Sequence, residues 1–402
     1  MAFIPLEEAA ARRTPPAGRF ALFAYGFRPF FLLCGLYGAA ALSLWLFVLL
    51  RGAPFEGPWG PVRWHMHEML FGFAGAAIGG FLLTAVPSWT GGRGHSGRPL
   101  MLLTALWLAG RLAVNPLAPL PPLAAAALDL AFFPALAATV LPSLLRSGNR
   151  RNYPFLGMLA LLTGGNMLCH LETAFPGTWE HGVALTVDTI LLMVVMVGGR
   201  IVPAFTGNAL RRVGVMAELA PRPWLERAAL GSVLLMLVAD QAAPESALAG
   251  AASLLAAGVT LARLAGWQGW RTLGQPILAV LHLGYAWIPV GLALKAAWLL
   301  ASMPIAAAWQ HAITLGAFGT MILAVMSRAA LGHTGRDIVA SPLTVAAYAL
   351  LTVAVVARVF GTAVAYHPAL VVAGFGWIAA FALFTVTYAP ILARPRADGR
   401  PG

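Results

Sequence analysis

The sequence predicts an all-α polytopic membrane protein of about twelve transmembrane helices, and three observations carry that prediction. First, 60% of the 402 residues are hydrophobic and only 10% are charged, against roughly 25% charged in a soluble domain. A soluble fold has no interior large enough for so much apolar surface, so lipid must be the solvent. Second, the apolar residues come in runs near the ~20 that cross a bilayer, and a dozen such runs use most of the chain. Third, basic residues gather in every second connection between runs, as the positive-inside rule expects of an even number of spans. The 43 glycines and 29 prolines are no objection, because membrane helices tolerate both. A net charge of +12 sits in short loops, and so reports membrane topology and not nucleic-acid binding.

Residues 1–28 read as a cytoplasmic leader: Glu7, Glu8, Arg12 and Arg13 stand there without the apolar core of a cleaved signal. The helices follow at about 29–50, 64–86, 99–115, 122–145, 153–174, 183–204, 226–241, 246–263, 275–300, 309–331, 342–362 and 369–392, the seventh and eighth runs being short. Residues 29–393 therefore form one membrane domain, and 394–402 a short tail. Arginines orient the stack. They precede helix 1, follow helices 2, 4, 6 and 8, flank the end of helix 10 and fill the tail, which accounts for 20 of the 26 basic residues. Both termini are thus expected in the cytoplasm. Cys34 and Cys169 lie inside apolar runs and read as membrane-buried thiols.

An internal repeat is visible. Helix 2 ends in Val86-Pro87-Ser88-Trp89-Thr90-Gly91 and helix 6 in Val202-Pro203-Ala204-Phe205-Thr206-Gly207, while helix 10 ends in His333-Thr334-Gly335. His67, Gly72, Gly75 and Ile78 also align without a gap with His311, Gly316, Gly319 and Ile322. The spacing of four spans suggests three four-helix units, the alternative being chance similarity among glycine-rich helices.

Polar groups at membrane depth are costly, so each is a candidate for function. His65 and His67 open helix 2, His170 closes helix 5 and His311 opens helix 10, all toward the outer face, whereas His181 and His367 fall in outer loops. His282 and His333 lie toward the inner face and offer a second, separate metal site or a closed cytoplasmic end. Imidazole is a common ligand for iron and copper, although a lone membrane histidine more often links two helices by a hydrogen bond. Four at one depth favour a metal or haem.

Residues two apart on a helix point ~200° apart, so His65 and His67 would serve two centres on opposite sides of helix 2. A helix starting only after His65 would instead let both share one metal. Arg111, Lys295 and Arg358 lie in the outer halves of their helices, where they could meet the propionates of a haem or pair with Asp129 and Asp188. Glu68 and Glu172, beside histidines, are candidates for moving protons or orienting a ligand.

On the stretches Phe27-Arg28-Pro29-Phe30-Phe31, Trp64-His65-Met66-His67-Glu68-Met69-Leu70-Phe71-Gly72, Gly148-Asn149-Arg150-Arg151-Asn152, Gly198-Gly199-Arg200 through Thr206, and Met321 through Arg336, the chain resembles the NnrS family of bacterial inner-membrane proteins. That resemblance implies haem and copper and a link to nitric oxide and nitrosative stress. Because there is no CxxCH, the haem implied is haem b. A looser architectural resemblance is to the haem–copper oxidase superfamily, which also has twelve helices in arcs of four. Here, however, the HxH is on helix 2, helix 6 holds no histidine, and no paired-histidine copper loop joins helices 7 and 8.

The reading is therefore a haem b and copper oxidoreductase of the inner membrane that binds nitric oxide and reduces or otherwise consumes it. His65, His67, His170 and His311 would be the ligands, and a quinol or cytochrome the electron donor. The rivals are a haem or copper carrier, a nitric oxide sensor, and a transporter of a small solute.

Overall fold

A computed structural model describes residues 20–55, 57, 59–116, 120–212, 214–215, 219 and 222–400. The leader reading falls mostly on residues 1–19, which lie outside the described residues. The described chain is all helical, with twelve helices and no strand. They are α1 Phe27–Arg51, α2 Gly60–Thr90, α3 Arg98–Ala113, α4 Pro122–Ser147, α5 Pro154–Leu171 and α6 Thr178–Arg212. Next come α7 Pro223–Ala242, α8 Ala247–Ala265, α9 Pro276–Ala301, α10 Pro304–His333, α11 Pro342–Val359 and α12 Tyr366–Ala393.

Ten of the twelve are long and apolar enough to cross a membrane. The other two are α3, whose 16 residues reach about 24 Å, and α7, which carries Glu226, Arg227 and Asp240. Proline in the first turn starts α3, α5, α7, α9 and α11, where its missing N–H is no loss. Left-handed Gly52, Gly91 and Gly148 close α1, α2 and α4.

Several expected boundaries move. The α6 helix begins at Thr178, so His181 lies in its first turn and not in a loop; it also runs through the Thr206-Gly207 pair to Arg212. His367 likewise stands in the first turn of α12. α2 begins at Gly60, ahead of His65, so the condition under which both histidines would face one metal is not met. Both ends of the described chain meet on one side of the bundle, where the Ala21 amide donates to Ala393 and Arg28 donates to the carbonyls of Leu392 and Arg394.

Packing repeats every four helices. The last helix of one unit packs on the first of the next, α4 on α5, α8 on α9 and α12 on α1, which closes a ring of three units. The second helices, α2, α6 and α10, are the inner ones, with 83%, 78% and 67% of their apolar windows buried; α9 matches the last of these. The sequence alignment of α2 with α10 has a structural counterpart. The helix widens to π geometry at Glu68–Ala74, directly after His67, and at Ala312–Gly319, directly after His311. A second counterpart lies at the opposite end of these helices. Trp89, Phe205 and His333, which occupy one register of the repeat, line a single cavity, as do Thr84, Arg200 and Arg328 five residues earlier. Three homologous positions surrounding one space is the result of a pseudo-threefold axis and is not expected of chance similarity.

Candidate metal centre

Five helices bring polar side chains together at the end of the bundle where α2 begins. α2 supplies His67 and Glu68, α3 Arg111, α4 Asp129, α5 Asn166 and His170, and α1 Tyr37. His67 and Glu68 are completely buried, and Asp129, Arg111 and Asn166 almost so. The ligand atoms of His67, Asp129 and His170 all lie within 4.8 Å of one another, the one such group among the described residues. On one side of the His67 ring, Nδ1 is 2.8 Å from Glu68 Oε1. On the other, Nε2 is 2.9 Å from Asn166 Oδ1 and 3.2 Å from Asp129 Oδ2. His170 Nε2 lies 2.9 Å from the same Asp129 oxygen, and the Asn166 amide donates to it at 2.8 Å. Arg111 donates to Glu68 at 2.5 Å and to Asp129, and the Tyr37 hydroxyl also donates to Glu68.

These contacts define what the cluster can hold. Both nitrogens of His67 face acceptor oxygens only, yet a neutral imidazole has one N–H. The second nitrogen therefore requires a proton or a metal cation. Charge gives the same answer: two buried carboxylates face one guanidinium, and a buried excess of one negative charge is costly unless a cation joins it. With Glu68 accepting from Nδ1, the Nε2 lone pair is directed toward His170 and Asp129, which is the carboxylate–histidine arrangement seen behind metal ligands. Two imidazoles and a carboxylate suit copper, iron or zinc. Trp59 covers His67 and His170, with ring centroids 4.6 Å and 5.0 Å away, and Phe71 packs on His67 at 4.7 Å.

The other predicted residues divide into separate groups. His65 points away from His67 and stacks on Trp45 of α1 at 4.9 Å and 11°. Within electrostatic reach of it stand Arg358, and of His311 both Arg358 and His65. Lys295 pairs with Asp240 and lies 4.8 Å from the Trp309 ring; Asp188 stands in the same group, beside Asp240. So Arg111 and Lys295 each hold a carboxylate, Arg111 that of Asp129 as the sequence allowed, and Lys295 that of Asp240 in place of Asp188. Arg358 has no ion pair among the described residues.

The two inner histidines are not brought together. His282 faces Thr206 Oγ1 at 2.9 Å and Trp267, while His333 stacks on Tyr25 and packs on Phe27. Glu172 is outside the helices. It accepts from the amides of Gly177 and Trp179 at the start of α6 and pairs with Arg63. The Trp179 amide, followed by Arg63, holds its carboxyl below the ordinary value.

Sequence reasoning missed four members of these sites. Asp129 was noted only as a partner for a cation; Asn166, Tyr37 and Trp45 were not singled out. Asn166 carried a signal, since it precedes His170 by one helical turn and shares its face. Tyr37 and Trp45 carried none, because only the packing of α1 on α2 brings them close.

Among curated proteins none matches the chain. The NnrS protein family matches residues 21–396, nearly its whole length. Membership of that family, known for haem and copper binding, fits a nitric-oxide-related membrane protein. The sequence stretches, the ring of apolar helices and this extent of match agree, and the chain belongs to the NnrS family.

Proposed function

We propose that this protein is a haem b and copper oxidoreductase of the bacterial inner membrane that binds nitric oxide and reduces it to nitrous oxide. The observation that carries the metal half is the His67 ring, both of whose nitrogens face acceptor oxygens inside a cluster of net negative charge. His67, His170 and Asp129 would hold the copper. His65 and His311 would hold the haem, with Trp45 against the His65 ring and Arg358 as the cation free for a propionate. When bound, these groups supply an open coordination position for nitric oxide and a path for electrons.

The chain's own residues do the rest. Glu68 fixes the His67 tautomer and is itself held by Arg111 and Tyr37. Trp59 and Phe71 exclude water from the imidazoles. Reduction of two nitric oxide molecules to nitrous oxide and water takes two electrons and two protons, so a quinol or cytochrome must donate. Glu172, retained by two amides and Arg63 as an ionised cap, is poorly placed to give a proton; Tyr37, whose hydroxyl donates to Glu68, is the nearer group that carries one.

The test is a haem and metal count on purified protein together with optical spectra. His65→Ala and His311→Ala should lose the Soret band. His67→Ala, His170→Ala and Asp129→Asn should lose copper and keep the Soret band. A protein with neither haem nor copper above trace ends the reading. Haem without anaerobic nitric oxide consumption turns it toward sensing or carriage.

A further inference from the structure

At the end of the bundle opposite His67 and His311, the three inner helices enclose a cavity of about 370 Å³. It is built from one register of the repeat. Trp89, Phe205 and His333 each present a ring, and five residues earlier stand Thr84, Arg200 and Arg328. Phe81, Val197 and Val325, eight residues before the rings, give its wall an apolar character.

The two arginines are charged and held by neutral groups. Arg200 donates to Asn152 Oδ1 at 2.7 Å and to the Arg151 carbonyl at 3.4 Å, and lies over the rings of Trp89 and Phe155. Arg328 sits 3.9 Å from the Phe205 ring centroid. Neither is in an ion pair among the described residues, and no carboxylate lines the space. Further positive charge surrounds it, Arg151 beside Arg200 and Arg212 beside Arg328. Half-buried guanidinium groups without counter-charge are costly, and an anion in the cavity removes that cost. The volume is within the range of small-molecule sites, and apolar walls with a few polar groups are their usual composition.

We infer that this axial cavity is a binding site for an amphiphilic anion, whose carboxylate or phosphate meets Arg200 and Arg328 while its apolar body lies among the rings of Trp89, Phe205 and Phe81. The arginine fork suits such groups and the ring faces hold the guanidinium in place. The site lies at the other end of the same helices from His67 and His311 and takes a different class of ligand. A free organic anion and the headgroup of an anionic lipid share this chemistry.

The experiment uses full-length protein in phosphatidylcholine nanodiscs and 2-naphthoate as the probe, with 2-naphthalenemethanol as its uncharged counterpart. Expected is saturable binding of naphthoate at one site, weakened about tenfold or more in Arg328→Gln and in Arg200→Gln, and no saturable binding of the alcohol. Arg328→Lys should retain part of the affinity. Ala329→Phe, which fills the cavity and leaves both arginines, should abolish binding while the protein still elutes as a folded species. If phosphatidylglycerol displaces the probe, the site stands and its natural ligand is lipid; if binding persists in such discs, the ligand is a soluble anion. Equal binding of acid and alcohol, or unchanged affinity in both arginine variants, overturns the inference, as does the absence of saturable binding.

Discussion

At the scale of single residues, the buried cluster around His67 is held by charge pairing that does not tolerate partial removal. Arg111 donates to both Glu68 and Asp129, so Arg111→Met leaves two carboxylates buried without their cation. Removing one member of such a network costs ~3–5 kcal/mol, and unfolding of this variant in mixed micelles should reveal a loss of that order. Glu172 behaves differently because it lies outside the helices, partly buried beside Arg63 and the start of α6. Its value is depressed in the folded state by the Trp179 amide, Arg63 and the Gly177 amide. Its contribution is therefore fully present above the ordinary carboxylate value of 4.5 and disappears as pH falls through the lowered one. Melting curves of the native protein and of Glu172→Gln should differ at neutral pH and converge in acid. His65 and His67 were legible as candidates from sequence, since membrane histidines are rare. Asp129 was not legible as a possible ligand, because nothing local relates it to His170, 41 positions away.

At the scale of elements, the π-helical segments of α2 and α10 decide how the helices are phased after their histidines. Each starts one residue past its histidine, which fits the tendency of such segments to occur at functional sites. Their glycines allow close approach. A Cβ on Gly72 would fall 2.5 Å from the Tyr37 ring, the group that donates to Glu68, and one on Gly316 would fall 2.8 Å from Trp287. A Cβ on Gly75 meets nothing closer than 3.5 Å. Gly72→Ala should therefore destabilise by ~1–3 kcal/mol and disturb the copper site, with Gly75→Ala near neutral; paired thermal melts and copper counts check both. Helix positions were almost fully legible, as apolar run lengths are local. The π widening was not, since periodicity over seven or eight residues does not separate it from an α-helix.

At the scale of the whole molecule, the His67 and His311 groups lie at one end of the ring of helices and the Arg200–Arg328 cavity at the other, where both described termini also lie. By the positive-inside rule that end is expected in the cytoplasm. A green fluorescent protein fused after residue 402 should fluoresce, and an alkaline phosphatase fused there should be inactive. The reverse pattern would invert the topology and place the histidine sites inside. The pseudo-threefold ring also explains why polar clusters recur between neighbouring units: His67 with Arg111 and His170, Asp188 with Asp240 and Lys295, and His311 and Arg358 with His65.

The sequence by itself determined that lipid is the solvent, that the helices number about twelve and that basic residues occupy alternate loops, and it suggested three related units. Each follows from composition, run length or register, which are properties of contiguous chain. Only the tertiary structure decided that His67 joins His170 and Asp129 while His65 turns away to Trp45, and that Lys295 pairs with Asp240. Those outcomes depend on how each helix is rotated and which neighbour it meets. Packing between residues far apart in the chain fixes both, and apolar patterning in a membrane leaves rotation weakly specified because lipid accepts any apolar face.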